Sequence, residues 1–266
     1  MSVSIKSARE VDAMRLAGGI VANTLQELRN AVRPGLTTKD LDRLTVRSIL
    51  RQGAEAAFPH INNFPGSVCT SVNEEVVHGI PGKRVLREGD LVKLDVGAIY
   101  QGYHGDAAIT VAVGSVSQEA RRLMDVTEGA LDAGILAARS GAYLNDIGAA
   151  IQRFVEPSGF SIVRQYVGHG VGRELHEDPT VAHYEQSTRG MRLRPGMTLT
   201  IEPMINAGTE ETVTKRDRWT VVTKDGKLSA QFEHTVLITD GDAEILTLPA
   251  VGEAWGQPAA AMHSVH

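Results

Sequence analysis

The chain has 266 residues, 42% of them hydrophobic and 22% charged, with 27 lysines and arginines against 32 acids for a net charge of −5. That balance is ordinary for a globular protein, offers no basic surface for nucleic acid or an anionic membrane, and includes no apolar run long enough to span a bilayer. Cys69 is the only cysteine, which excludes an intrachain disulfide and a thiolate zinc cluster; with no apolar leader in residues 1–6, it points to a reducing cytoplasm.

Ser7-Ala8-Arg9-Glu10 has the form of a capping box, and Val11, Met14, Ala17, Val21, Leu25 and Leu28 follow at helical spacing. That helix is expected to end near Arg33-Pro34-Gly35, and a second to begin at Thr37 or Thr38 and stop before Gly53. Residues 58–82, rich in Asn, Gly, Pro and His, read as loop and short strand. A hairpin with strands near 91–98 and 105–113 is expected around Tyr100-Gln101-Gly102. Two helices should follow, beginning near Ser117 and Leu144 and ending near Gly141 and Pro157-Ser158-Gly159. The remainder is strand-rich, with an Asp225-Gly226 turn joining Trp219–Thr223 to Leu228–Ile238. Helices followed by strands thus occur twice, the pattern of an α+β fold with internal pseudo-symmetry. Residues 1–249 are expected to form one domain with an internal two-fold repeat, and the Gly-, Pro- and Ala-rich stretch 250–266 a disordered tail.

An acidic pattern is also duplicated. Arg87-Glu-Gly89-Asp-Leu-Val-Lys-Leu-Asp95 and Arg194-Pro-Gly196-Met-Thr-Leu-Thr-Ile-Glu202 each run from an Arg-x-Gly turn through a β-type segment to a carboxylate eight residues after the arginine. Each is followed by a second acid opening another apolar strand, Asp106 and Glu233. Acids among core residues are costly unless something pairs with them. If the first hairpin is symmetric about Tyr100-Gln101, Asp95 and Asp106 lie directly opposite each other, an arrangement that repels unless a cation neutralises it. Lys93, Asp95 and Gly97 share one face of that strand. Pro203 biases Glu202 away from helix and leaves its carboxylate on extended backbone. One acid in a strand is ordinary; two matched pairs suggest half-domains facing each other across a cation site.

Of the nine histidines, His60, His104, His183, His234, His263 and His266 read as solvated or supporting groups. His169 lies in Gly168-His-Gly-Val-Gly172-Arg173, where small neighbours permit close approach, and His176 follows seven residues later. His78 precedes a Gly-Ile-Pro turn leading to the first acidic hairpin. The glycine run lacks the lysine of a P-loop and the last glycine of a dinucleotide fingerprint.

Taken together, Ser67-Val-Cys-Thr-Ser-Val-Asn-Glu, Val77-His78-Gly-Ile-Pro, Leu94-Asp95-Val-Gly, His104-Gly-Asp106, Gly168-His169-Gly-Val-Gly-Arg, His176-Glu-Asp-Pro, Thr200-Ile-Glu202-Pro-Met and Gln231-Phe-Glu233-His-Thr-Val resemble the type I methionine aminopeptidases, which have the pita-bread fold. The resemblance runs from about Ser7 to Leu248. It implies two divalent ions, of Co, Mn, Fe or Zn, with Asp106 and Glu233 bridging them, Asp95 completing one site and His169 with Glu202 the other. Glu202 would also accept a proton from the attacking water, while His176 and His78 would contact the scissile amide. The methionine pocket would include Cys69, Phe64 and Trp219. Substrates would be N-terminal peptides of nascent proteins with a small second residue, met by a monomer through transient ribosome contact, without nucleic acid or membrane as partner. Three positions depart from the family pattern: Ile61 for a tyrosine, Asn63 for a glycine, and Leu175 for an aromatic. An aminopeptidase P or prolidase-like enzyme and a non-catalytic pita-bread binding protein are the alternatives. Only about 90 residues before the first acidic strand, and 31 between Glu202 and Glu233, favour type I.

Overall fold

The computed structural model describes residues 3–249; the tail expected from residue 250 lies outside them. The capping box forms: the Ser7 backbone N–H and hydroxyl both donate to the Glu10 carboxylate, at 2.9 and 2.8 Å. It starts α1 (Ala8–Ala31), whose apolar stripe is its buried face. Thr37 accepts from the Asp40 N–H to start α2 (Thr38–Arg51). Strands β1 (Glu55–Ala56), β2 (Cys69–Val72) and β3 (Glu75–Val77) precede the long hairpin of β4 (Leu91–Tyr100) and β5 (Tyr103–Ala112). The second half repeats the order with α3 (Gln118–Ala137) and α4 (Leu144–Val155), then β6 (Ser161–Ile162), β7 (Gly168–Gly170), β8 (Glu177–Val181), β9 (Thr198–Ile201) and β10 (Met204–Asn206). The chain continues with β11 (Thr212–Thr214), β12 (Val221–Thr223), β13 (Ser229–Gln231), β14 (His234–Leu237) and β15 (Glu244–Ile245).

In the first half, β4 has β1 and β2 along one edge and β5 along the other. Helix α1 packs across β4 and β5, close enough that a Cβ on Gly105 would sit 2.7 Å from the Ala17 backbone. The corresponding sheet of the second half runs β15-β14-β9-β7-β8, and β13-β10-β6 extends it. An apolar core joins the halves, from Leu25 on α1 through Leu94 and Val96 on β4 to Ile201 and Val236.

Three strand expectations are corrected. The first hairpin pairs Tyr100 with Tyr103, so Asp95 faces Ala108 and Asp106 faces Gly97 rather than each other. The cause is the turn, a two-residue loop of Gln101 and Gly102, both at positive φ (51° and 77°), which suits the twist of the strands. The two acids are therefore diagonal neighbours on one face. The expected strand Leu228–Ile238 is broken at Phe232-Glu233, because its partner reaches Pro203, which has no N–H for the ladder. The register resumes unchanged beyond the gap, with Ile201 opposite His234 on one side and Met204 opposite Gln231 on the other. Finally, the Asp225-Gly226 turn forms, with Gly226 at φ 74°, but its flanking strands part company. β12 pairs with β11 and β3, whereas β13 pairs with β10.

The break at Glu233 is where the halves are stitched. Glu233 exchanges backbone hydrogen bonds with Ala108, donating at 2.8 Å and accepting at 3.4 Å. Thr110 and Thr235 hydroxyls donate across the seam to the Gln231 and Asp106 carbonyls. The fully buried Lys93 ammonium donates to the Asn73 carbonyl at 2.7 Å and to Ser229 at 2.8 Å, one from each half.

Candidate metal centre

The seam places acids from both halves in one row. Cys69 pairs with Asp95, Asp95 with Ala108, and Ala108 with Glu233. Residues directly paired across strands present side chains on the same face. Asp106, two residues before Ala108, shares that face, and the interrupted register of β9 and β14 leaves Glu202 opposite Glu233. The opposition expected between Asp95 and Asp106 is thus found in the second half instead.

His169 completes the set from β7. A register shift between His169 and Gly170 re-aims the side chain, and its Nδ1 hydrogen-bonds the Gly170 carbonyl at 2.9 Å. A carbonyl only accepts, so the proton lies on Nδ1 and Nε2 keeps a free lone pair. Nε2 lies 3.7 Å from an Asp106 oxygen and 3.6 Å from a Glu202 oxygen. Ligand atoms of Asp106, His169 and Glu233 lie within 4.8 Å of one another.

Asp95, Asp106 and Glu233 each hold one buried carboxylate oxygen without a hydrogen-bond partner. Burial pushes all four carboxyls upward, and the negative neighbours push Asp106, Glu202 and Glu233 further. Two unit charges 4 Å apart repel by about 4 kcal/mol at an effective dielectric of 20. Burial holds His169 down at about 4, with His176 adding to the effect, so its imidazole is neutral at pH 7. A neutral imidazole with a free lone pair among orphaned, mutually repelling carboxylates fits a divalent cation site.

The remaining expected residues surround this row. His78, at φ 58°, meets Tyr166 edge-on at 5.7 Å, and burial lowers it to about 4. The His176 ring lies 4.3 Å from that of His169. A cavity of about 250 Å³ opens over the acids, with His78 and His176 on its walls. Cys69, Phe64 and Trp219 line it as expected, Phe64 and Trp219 in edge contact at 5.1 Å. Ile61 and Leu175 line it too, so two of the three departures from the family pattern shape this cavity. Asn63 stands at φ 57°, a left-handed conformation that asparagine tolerates better than most residues, which explains how it replaces glycine.

Several contributors were not anticipated. Phe58 and Asn62 also line the cavity. Thr200 accepts from the His169 N–H and donates to Glu202, both at 2.9 Å, tying two ligand candidates together. Its position two residues before Glu202 was the available sign, since alternation puts both on one face. His183, fully buried, accepts the Glu202 backbone N–H on Nε2 at 3.1 Å. Only tertiary structure makes that contact, across 19 residues. His104 and His234 are also buried, while His60 is exposed; His263 and His266 lie outside the described residues.

Residues 12–240 match metallopeptidase family M24, and the chain belongs to that family. It groups there with the methionine aminopeptidases. It is 52% identical to methionine aminopeptidase 1 of Bacillus subtilis, covering 91% of this chain and 98% of the relative, and 46% identical to the Escherichia coli K12 enzyme, covering 93% and 95%. The crystal structure of methionine aminopeptidase from Thermotoga maritima superposes with a TM-score of 0.91 at 46% identity, over 93% of this chain and all of that one. Prolidase from Pyrococcus furiosus shares the pita-bread fold at a TM-score of 0.74, with 24% identity over 91% of this chain and 65% of its own. Among the described residues, no helix is long and apolar enough to cross a membrane.

Proposed function

We propose that this chain removes the N-terminal methionine from peptides and nascent proteins, favouring a small second residue, with Asp95, Asp106, His169, Glu202 and Glu233 holding two divalent ions. The observation carrying this reading is the row of buried, partly orphaned carboxylates closed by His169 at the floor of a cavity walled by Phe58, Phe64, Leu175 and Trp219. Four carboxylates balance the formal charge of two divalent ions, and oxygen donors with a single imidazole suit Mn, Fe(II), Co or Zn. Such ions, when bound, lower the pKa of water and polarise a carbonyl.

The protein's own groups do the rest. Glu202, with one oxygen held by Thr200, accepts the proton of the attacking water and passes it to the leaving amine. His176 donates a hydrogen bond to the negative charge developing on the scissile carbonyl oxygen, and His78 hydrogen-bonds the scissile amide. Phe64, Trp219 and Cys69 receive the methionine side chain, whose flexible thioether suits an aromatic-lined cavity. Residues 1–249 act as one catalytic domain, a cytoplasmic monomer meeting chains as they leave the ribosome.

A panel of Met-Gly, Met-Ala, Met-Leu and Xaa-Pro peptides, with Mn or Co added to metal-stripped protein, tests the reading. Methionine should be released from Met-Gly and Met-Ala and poorly from Met-Leu. Cleavage confined to Xaa-Pro bonds would establish the prolidase-like alternative, and no cleavage at all the non-catalytic one.

A further inference from the structure

His176 sits in the segment between β7 and β8, which meets the N-terminal strap of residues 3–6 at one carboxylate. Glu177 Oε1 accepts the Arg173 N–H at 2.8 Å and the Glu174 N–H at 3.3 Å, closing the segment on itself. Its other oxygen accepts Lys6 Nζ at 2.6 Å and the Ser4 hydroxyl at 3.1 Å. The Lys6 side chain is only 5% exposed and that of Glu177 18%, so water screens this ion pair little. The strap is itself anchored, with the Lys6 N–H on the Gly196 carbonyl at 2.8 Å. At its other end the segment is fixed to β5, where the His104 N–H donates to the Gly172 carbonyl at 2.8 Å. Gly172 has no room to spare: a Cβ there would lie 2.5 Å from Glu177 Oε1 and 2.7 Å from Lys6 Cε.

We infer that Lys6 and Ser4, acting through Glu177, are positioning residues for His176, so that the N-terminal strap forms part of the catalytic apparatus. The residue tied down is the one next to His176, and a displacement of about 1 Å in a catalytic group can lower turnover a hundredfold. None of these residues touches the acidic row, so loosening the strap should separate turnover from metal binding. The kinetic side of the inference rests on the aminopeptidase reading; the exchange measurement below does not.

Lys6→Met and Glu177→Gln would be compared with wild type and Lys6→Arg as metal-loaded full-length proteins. Arg15→Met, which removes an exposed α1 ion pair with Asp12 and Glu244, serves as control. The expected result is a fall in kcat of tenfold or more for Lys6→Met and Glu177→Gln, with KM and bound metal nearly unchanged. Lys6→Arg should retain most of the activity and Arg15→Met all of it. Amide exchange at Arg173 and Glu174 should accelerate in Lys6→Met, a readout available even if methionine release by wild type fails. If Lys6→Met does not fold, Ser4→Ala supplies a milder version with the same ordering. Unchanged exchange and a kcat within twofold of wild type would overturn the inference, as would metal loss in proportion to lost activity.

Discussion

Glu233→Gln should stabilise the metal-free protein while abolishing its use of metal. Glu233 is buried, has an unpartnered oxygen, and is raised well above its ordinary 4.5 by burial and by Asp106, Glu202 and Asp95. Its folded-state midpoint is raised, so its contribution to stability is intact below about pH 4.5 and is lost as pH climbs toward that midpoint. At pH 8 an unfolded chain ionises freely, whereas in the metal-free fold ionising Glu233 about 4 Å from even one other carboxylate costs about 4 kcal/mol at an effective dielectric of 20. Glutamine carries no charge and nearly the same volume, but leaves its own amide short of partners at about 1–3 kcal/mol. A net gain of about 1–3 kcal/mol is expected at pH 8. With a urea m-value of about 3 kcal/mol/M, the midpoint should rise by up to about 1 M. Near pH 4.5, where the unfolded-state group is only half ionised, the gain should give way to a loss of about 1–3 kcal/mol, the cost of the amide alone. Saturating Mn or Co should reverse the order, because ions stabilise only the chain that binds them. Urea titrations of both proteins in chelator, at pH 4.5 and 8, measure all of this. A variant no more stable than wild type at pH 8, or equally favoured at both pH values, would refute the account of the acidic row.

Gly168→Ala should weaken metal binding without touching a ligand, since the new Cβ would lie 2.4 Å from the Thr200 carbonyl oxygen and force β7, with His169, away from β9; calorimetric titration with Mn should show at least a tenfold loss. Lys93→Met should lower unfolding free energy by about 1–3 kcal/mol, because it removes the ammonium donor from the buried Ser229 carbonyl while the part-buried Asn73 carbonyl keeps the Ser229 N–H, yet leave metal stoichiometry intact. His183→Leu should orphan the part-buried Glu202 N–H, costing about 1 kcal/mol and weakening metal binding, whereas His183→Gln, which keeps an acceptor, should recover part of both. Equal behaviour of the two His183 variants would show that the imidazole only fills space.

Much of this protein is local, and its sequence determined that much unaided. The Ser7 and Thr37 caps and the apolar stripe of α1 depend on neighbours a few residues apart, so their side chains and backbone preferences suffice. The duplicated Arg-x-Gly preludes and the acids that follow them likewise pointed to Asp95, Asp106, Glu202 and Glu233, while the glycines made His169 one of three candidate histidines, with the family resemblance choosing among them. Tertiary structure decided which acids oppose each other, because register follows from turn geometry and from the gap at Pro203 and not from spacing along the chain. It also decided what stands behind the candidate ligands: the Lys93 ammonium joining the halves, His183 under Glu202, and Lys6 reaching Glu177 across 171 residues. These are single polar contacts between distant segments, and they form only after the apolar patterns have brought those segments together.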